Sequence, residues 1–289
     1  MNRRSFLKTG TGLAVSAGAS SMSAAAPPPA QLKLGWDAFV LRSYGWKAMK
    51  MLDYTAELRL DTIQLGNIDL ESYEPAQVQK VRDHAARLGI TIDGAIGCIC
   101  PTAAHWNVKN GNPAEHLVKQ LRLFNALGST SLHVYLGADM ERTGPIPLEK
   151  HIEETVKVLR AVRSQALDLN VKIAVENHMD LQSWELKMLI EEAGRDFVGS
   201  CFDSGNAAVV LEDPVAALEN VGAYNIQTHL RDVVLYQHPR GLAMQAVAMG
   251  DGVVDFQTFI QRFRELCPQS SVVLEVLTGS PPRVLPYLE

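Results

Sequence analysis

From residue 32 onward the chain repeats one unit, a short β-rich run followed by an amphipathic helix, and this alternation restricts the fold more than any other feature. Strands are predicted over 32–41, 62–65, 90–96, 131–135, 171–175, 198–202, 226–230 and 272–276, and helices over 46–58, 75–88, 113–127, 148–169, 183–193, 214–220 and 256–266. The helix over 148–169 shows the signal plainly, with Ile152, Val156, Leu159, Val162 and Ala166 forming one stripe at helical spacing. Pro75, Pro113 and Pro214 open helices where a missing N–H is harmless, and Gly89 and Gly128 close two of them. Eight strands and seven helices in strict order predict an α/β fold, a TIM (β/α)8 barrel, in one domain over 32–289. About a dozen residues follow the eighth strand, so the barrel is expected to lack its last helix and to expose an apolar wedge between first and last strands. Such a wedge is a candidate contact for a homo-oligomer. A doubly wound open sheet shares the alternation, but its glycine-rich dinucleotide turn is missing after the first strand.

The first 26 residues follow a different rule. Arg3-Arg4-Ser5-Phe6-Leu7-Lys8 precedes a mildly apolar, Gly/Ala/Ser-rich stretch that ends in Ala24-Ala25-Ala26 and Pro27-Pro28-Pro29. A charged start, an apolar middle and a small-residue end predict a signal peptide over 1–26, with 27–31 as a short linker, and the paired arginines favour the twin-arginine type. The expected partner is then the twin-arginine export machinery, and the expected location is periplasmic or otherwise exported. No later window holds 18 continuous apolar residues, so no stable membrane span is expected after processing. The chain carries 27 basic and 32 acidic residues, and losing Arg3, Arg4 and Lys8 leaves 24 against 32, a net charge of −8. That balance gives no electrostatic footing for nucleic acid. Of the four cysteines, Cys98, Cys100, Cys201 and Cys267, three sit in apolar strand-like runs, which predicts buried free thiols. Cys98-Ile99-Cys100 has one intervening residue, which is too tight for a zinc pair.

Ionisable residues concentrate where strands end. The strand over 171–175 runs into Glu176-Asn177-His178, and that over 198–202 into Asp203-Ser204-Gly205-Asn206. The seventh strand meets His229, with Arg231 and Asp232 close behind, and the eighth meets Glu275. Four successive strands thus deliver a carboxylate or imidazole to the face where barrel enzymes assemble their sites. Each would be costly to bury alone, so their shared position predicts a common centre. Two glutamates, one aspartate and one histidine form an oxygen-rich ligand set for one divalent ion, with Mn²⁺ or Mg²⁺ favoured and Co²⁺, Fe²⁺ or Zn²⁺ able to substitute.

The strings Val175-Glu176-Asn177-His178, Phe202-Asp203-Ser204-Gly205-Asn206, Thr228-His229-Leu230-Arg231-Asp232, Gly250-Asp251-Gly252 with Asp255-Phe256, and Leu274-Glu275 occur in this order. Together they resemble the xylose isomerase-like TIM-barrel superfamily, in particular its sugar phosphate isomerase/epimerase branch. The resemblance implies a metal, Mn²⁺ in the first instance, held by Glu176, Asp203, His229 and Glu275. It also implies that Glu176 and Glu275 are catalytic, one removing a proton beside a carbonyl and the other returning it to the opposite face. His178 matches a residue that approaches a substrate oxygen.

The chain departs from the family's epimerases in having Asn206 where a histidine is common and Leu235 where an arginine is common. Asn206 and Arg231 are accordingly assigned to substrate binding. Trp36, Trp106, His105 and Tyr135 are candidate pocket rings, and Gln245 and His238 are candidates in the connection after the seventh strand. His133 is expected to face away from the pocket that Tyr135 enters. Gly250-Asp251-Gly252 reads as a turn that needs glycine's freedom.

These readings predict a divalent-metal-dependent isomerase or epimerase acting on a small carbohydrate or polyol through an enediolate. A metal-dependent dehydratase or keto-glycoside lyase, and a non-catalytic exported sugar-binding protein, are the alternatives. Metal-dependent endonucleases share the barrel, but the negative charge and the absence of a histidine-rich multi-metal pattern argue against them. Replacing Arg3 and Arg4 together by lysine keeps the charge and removes the paired guanidinium signal. Fractionation is expected to find the double variant folded in the cytoplasm, and unchanged processing beyond the inner membrane would refute the leader assignment.

Overall fold

The computed structural model describes residues 32–286, so the leader predicted over 1–26 and the linker over 27–31 lie outside the described residues. Seven strands come first: β1 (Leu34–Asp37), β2 (Thr62–Gly66), β3 (Thr91–Cys98), β4 (Ser131–Tyr135), β5 (Lys172–Glu176), β6 (Val198–Asp203) and β7 (Asn225–His229). A hairpin of β8 (Asp232–His238) and β9 (Gly241–Val247) precedes β10 (Val272–Leu274), and β11 (Arg283–Pro286) follows. Eight strands run parallel in the order β10-β1-β2-β3-β4-β5-β6-β7. Between β7 and β10 the Leu230 N–H donates to the Val273 carbonyl at 2.8 Å and the Glu275 N–H to the Leu230 carbonyl at 3.0 Å, which nearly closes the barrel.

The parallel strands are covered by helices, and β6 is buried at every residue. The helices Ala48–Glu57, Pro75–Leu88, Pro113–Ala126, Leu148–Ala161, Ser183–Ala193, Pro214–Val221 and Phe256–Leu266 bury one face each. Asn112 and Asp213 stand just before helix-opening prolines, and each side chain accepts two of the N–H groups that the first turn leaves unpaired. Between β6 and the last helix, the rings of Phe202, Phe259 and Phe263 follow one another at 5.9 and 6.2 Å. All four cysteines are buried free thiols. Among the described residues no helix is long and apolar enough to cross a membrane.

Several expectations need correction. The first strand, predicted over 32–41, ends at Asp37, because Asp37 Oδ1 accepts from the Phe39 N–H at 2.9 Å and starts a 3-10 helix over Ala38–Tyr44. The helix predicted over 148–169 breaks at Val162 (φ −106°, ψ 4°), a fully buried residue where packing overrides the continuous stripe. A short helix, Ser204–Val209, follows β6 at once. As expected, no helix follows β10 among the described residues. Among the described residues, however, the apolar wedge does not appear: the β1–β10 ladder pairs Leu34 with Val272 and Gly35 with Val273, and both valines are buried. The chain instead ends its described part as β11, antiparallel to β9 in a small sheet beside the barrel. Arg283 on β11 forms an ion pair with Asp139, in the connection after β4.

Asp232 organises the connection after the hairpin. Its two carboxylate oxygens accept from the N–H groups of Val233, Gly250, Gly252 and Val254 at 2.9 to 3.2 Å, so one buried charge holds the Gly250-Asp251-Gly252 turn. A Cβ at Gly252 would overlap both the Asp232 carboxylate and the Val233 carbonyl oxygen. Gly252→Ala is expected to destabilise the protein by about 1–3 kcal/mol, read as a lowered melting temperature. An unchanged melting temperature would show that this turn yields freely.

Candidate metal centre

Glu176, Asp203 and His229 are the last residues of β5, β6 and β7, and Glu275 follows β10 directly. Parallel register places Asp203 beside His229, and the four chain ends are successive around the barrel. One ligand atom from each of the four residues lies within 4.8 Å of the others. The cluster is secluded, with Asp203 wholly buried and Glu275 the most exposed at 8%.

Three carboxylates so close in a low-dielectric setting repel each other unless cations intervene. The chain supplies two. Arg231 Nε lies 2.8 Å from Asp203 Oδ2 and 3.7 Å from Glu275 Oε2, close enough to pair electrostatically although the N–H is not aligned for a hydrogen bond. His229 Nδ1 lies 3.4 Å from Glu176 Oε1 and 3.7 Å from Glu275 Oε2. Burial pushes Asp203 up to about 7; Arg231 opposes this, while Glu275 and Glu176 add to it. Burial likewise raises Asp37, 4.0 Å from His229, to about 7. Burial also acts to raise Glu176, but there His178, His229 and His133 prevail and hold it well below the usual carboxylate range. Glu275 Oε2 is buried with no hydrogen-bond partner. An oxygen-rich donor set, an orphaned carboxylate oxygen and a strongly raised aspartate fit a site built for one further cation.

Neighbouring side chains fix the ligands. Asn177 bridges β5 to β6, donating to the Asp203 carbonyl at 3.0 Å and accepting from its N–H at 2.8 Å. Asn206 Nδ2 donates to Glu176 Oε1 at 3.0 Å and to Asp203 Oδ2 at 2.9 Å, while its oxygen accepts from Arg231. His178 Nδ1 donates to the Gly137 carbonyl at 2.7 Å, and its ring stacks on Tyr135 with centroids 4.2 Å apart. Met179, next in the chain, takes the left-handed φ of 64°, a conformation a non-glycine residue adopts only when its surroundings enforce it.

Of the residues singled out from sequence, the structure brings together Glu176, Asp203, His229, Glu275, Asn206 and Arg231, with His178 alongside. The two tryptophans make other contacts. Asp37 faces His229, so its strand neighbour Trp36 faces outward, donating from Nε1 to Thr55 Oγ1 on the first helix at 2.9 Å. Trp106 is buried edge-on against His116 of the third helix, 5.9 Å between centroids. Gln245 sits on β9 and makes a long 3.5 Å bond to the Ser280 carbonyl, and His238 accepts from the Arg240 N–H at the hairpin tip. His133 faces inward, contrary to expectation, with Nε2 2.7 Å from Glu176 Oε2. Residues two apart on a strand share a face, so His133 and Tyr135 point the same way. Gln64, Gln227 and Asp37 were missed. Their signal was a polar residue at an inward position of a buried strand. Two surface clefts, one near Lys47 and Glu71 and one near Lys172 and Arg195, contain none of these residues.

A family model described as xylose isomerase-like TIM barrel matches residues 41–286. The 3-oxo-isoapionate decarboxylase of Pectobacterium atrosepticum is 21% identical over 217 residues, which cover 74% of this chain and 72% of that protein. Among solved structures, a D-psicose 3-epimerase crystallised in the presence of D-fructose superposes with a TM-score of 0.68 at 15% identity, covering 86% of each chain. The IOLI protein with a binding zinc atom gives 0.67 at 16% identity, covering 86% of this chain and 90% of that one. At such identities the structural likeness speaks for the fold.

The raised aspartates set a pH dependence. A carboxyl that moves from 3.8 when unfolded to about 7 when folded stabilises the protein fully below 3.8, and that contribution disappears as pH rises through 7. A metal ligated by Asp203 must displace the proton there, so its affinity should rise over this interval. Titration calorimetry is expected to find binding about tenfold or more tighter near pH 8 than near pH 6, and equal affinities would contradict the assignment of Asp203 as a ligand.

Proposed function

The chain belongs to the xylose isomerase-like TIM-barrel family, and on that premise we propose that it is a divalent-metal-dependent isomerase or epimerase of a small carbohydrate or polyol. The observation that carries this reading is the meeting of Glu176 and Glu275 with Asp203 and His229 at one point of the barrel mouth. Glu176, Asp203, His229 and Glu275 would hold the ion, with Mn²⁺ favoured by the hard donor set. When bound, a divalent ion supplies electrophilic stabilisation to the negative charge that develops on a substrate carbonyl oxygen.

The chain's own residues divide the proton work. Glu275, with Oε2 free of hydrogen bonds, is placed to take up a proton from the carbon beside a carbonyl, leaving an enediolate. Glu176 shares its oxygens with His133 and Asn206, which steady it as the second carboxylate. Exchange between two carboxylates on opposite sides of one carbon inverts that carbon. His178, whose Nδ1–H is spent on the Gly137 carbonyl, offers Nε2 to a substrate oxygen. Arg231 and Asn206 border the same space. The proposal includes export by the twin-arginine route, for which Arg3-Arg4 and the small-residue stretch behind them speak.

The likeness to a decarboxylase supports a second reading, a lyase that uses the same carbanion chemistry and ends with bond cleavage. Incubating metal-loaded protein with ketoses, aldoses and keto-acids in deuterated water separates the two. The first reading expects isomers of unchanged composition carrying deuterium beside the carbonyl, whereas loss of water or carbon dioxide with no isomer establishes the lyase. Glu176→Gln and Glu275→Gln, measured beside their metal content, are each expected to lower turnover about 10²–10⁴-fold. Full turnover in both metal-loaded variants would refute proton exchange between them.

A further inference from the structure

A chain of polar side chains crosses the inside of the barrel beneath the four carboxylate and imidazole groups. His229 Nε2 lies 2.6 Å from Gln64 Oε1, and Gln64 Nε2 donates to Gln227 Oε1 at 2.6 Å. Gln227 Nε2 donates to Ser131 Oγ at 2.7 Å and to the Gly94 carbonyl at 3.2 Å, and Ser131 Oγ donates to Asp93 Oδ1 at 3.0 Å. β2 and β7 are not neighbours in the sheet, so the Gln64–Gln227 bond spans the interior. Gln64 and Gln227 are almost wholly buried, at 1% and 2% exposure, which leaves no water to substitute for a lost partner.

This chain has a direction that its far end dictates. A backbone carbonyl can only accept, so Gly94 requires the amide nitrogen of Gln227 on its side. Turning Gln227 over would set its oxygen 3.2 Å from the Gly94 oxygen. Ser131 commits its single hydrogen to Asp93 and therefore also accepts from Gln227. The Gln227 oxygen must then face Gln64, Gln64 must answer with its nitrogen, and the Gln64 oxygen is left for His229. An oxygen there demands a proton on His229 Nε2. Asp37 Oδ2, 4.0 Å from the same nitrogen, acts in the same sense.

We propose that Gln64 is a positioning residue for the metal centre: through Gln227, Ser131 and the Gly94 carbonyl, the barrel interior fixes His229 with Nε2–H pointing down and Nδ1 presented to the carboxylates. The inference rests on the metal-dependent reading for its consequence and on hydrogen-bond geometry alone for the orientation. Gln227, whose side chain bonds Gln64, Ser131 and the Gly94 carbonyl, carries the information as fully as Gln64 does.

The test uses full-length protein with ¹⁵N-labelled histidine, loaded with Zn²⁺ as a diamagnetic probe, in wild type, Gln64→Met and Gln227→Met. Long-range ¹H–¹⁵N correlation is expected to show His229 in the wild type protonated at Nε2 and metal-bound through Nδ1. Gln64→Met is expected to weaken Zn²⁺ binding about 10- to 100-fold, as loss of a hydrogen-bond partner behind a ligating histidine does. Gln227→Met, which frees the Gln64 amide to turn, is expected to expose the Nε2 proton to faster exchange while far-ultraviolet circular dichroism stays unchanged. Zinc bound through Nε2, or affinity and exchange unaltered in both variants, would overturn the proposal. If wild type binds no metal, the metal-dependent reading fails. The metal-free protein at alkaline pH then decides the orientation by itself, since a neutral His229 protonated at Nδ1 would overturn it.

Discussion

Three carboxylates at the mouth of one barrel, nearly stripped of water, are the constraint around which the rest of the molecule is arranged. Glu176, Asp203 and Glu275 would each carry a large desolvation cost alone, and together they add mutual repulsion. The chain answers with Arg231 and His229 inside the cluster, with Asn206 donating to two of the carboxylates, and with His133 behind Glu176. The compensation is uneven. Glu176 is so well served that it stays ionised, while Asp203 tends towards its protonated form and one oxygen of Glu275 has no hydrogen-bond partner. An arrangement selected for stability alone would fill that last position with a donor. Leaving it open is consistent with a further cation at this point.

The same demand explains why the barrel interior is not the apolar stack that many parallel barrels contain. Imidazole and carboxylate groups above need partners below, so Gln64, Gln227, Ser131 and Asp93 replace branched aliphatics at inward positions. The apolar core is displaced outward, between strands and helices, where Phe124, Phe202, Phe259 and Phe263 are fully buried. The apolar packing is thereby carried by the outer layer and the polar network by the inner one. Trp36 belongs to the outer layer, which is why a residue at the end of the first strand does not reach the site.

The alternation of strand and helix was legible in the sequence because it depends on local periodicity, and so were Glu176, Asp203, His229 and Glu275, because each stands at the carboxyl end of a strand-like run. What stayed hidden depends on partners far away in the chain. His133, Gln64 and Gln227 sit inside strands, where a polar residue looks like an interruption until the residue across the barrel is known. The hairpin β8–β9 pairs with β11, about 40 residues further on, and a two-stranded hairpin without that third strand is marginal. Arg231 was assigned to substrate; its place between Asp203 and Glu275 follows from where the chain turns after β7, which spacing does not encode.

Two overlapping ligand sets share His229: the carboxylate set, and a softer one made with His133 and Cys201. Their surroundings decide between them. Burial pushes the Cys201 thiol up to about 12, so at neutral pH it must lose a proton before it can ligate, whereas Glu176 already stands ionised. His133 is committed through Nε2 to Glu176, at 2.7 Å the shortest hydrogen bond that carboxylate makes. His229 can serve only one set at a time, since Gln64 holds its other nitrogen. The soft set is therefore the scaffolding of the hard one: His133 and Cys201 line the floor on which His229 and Glu176 stand.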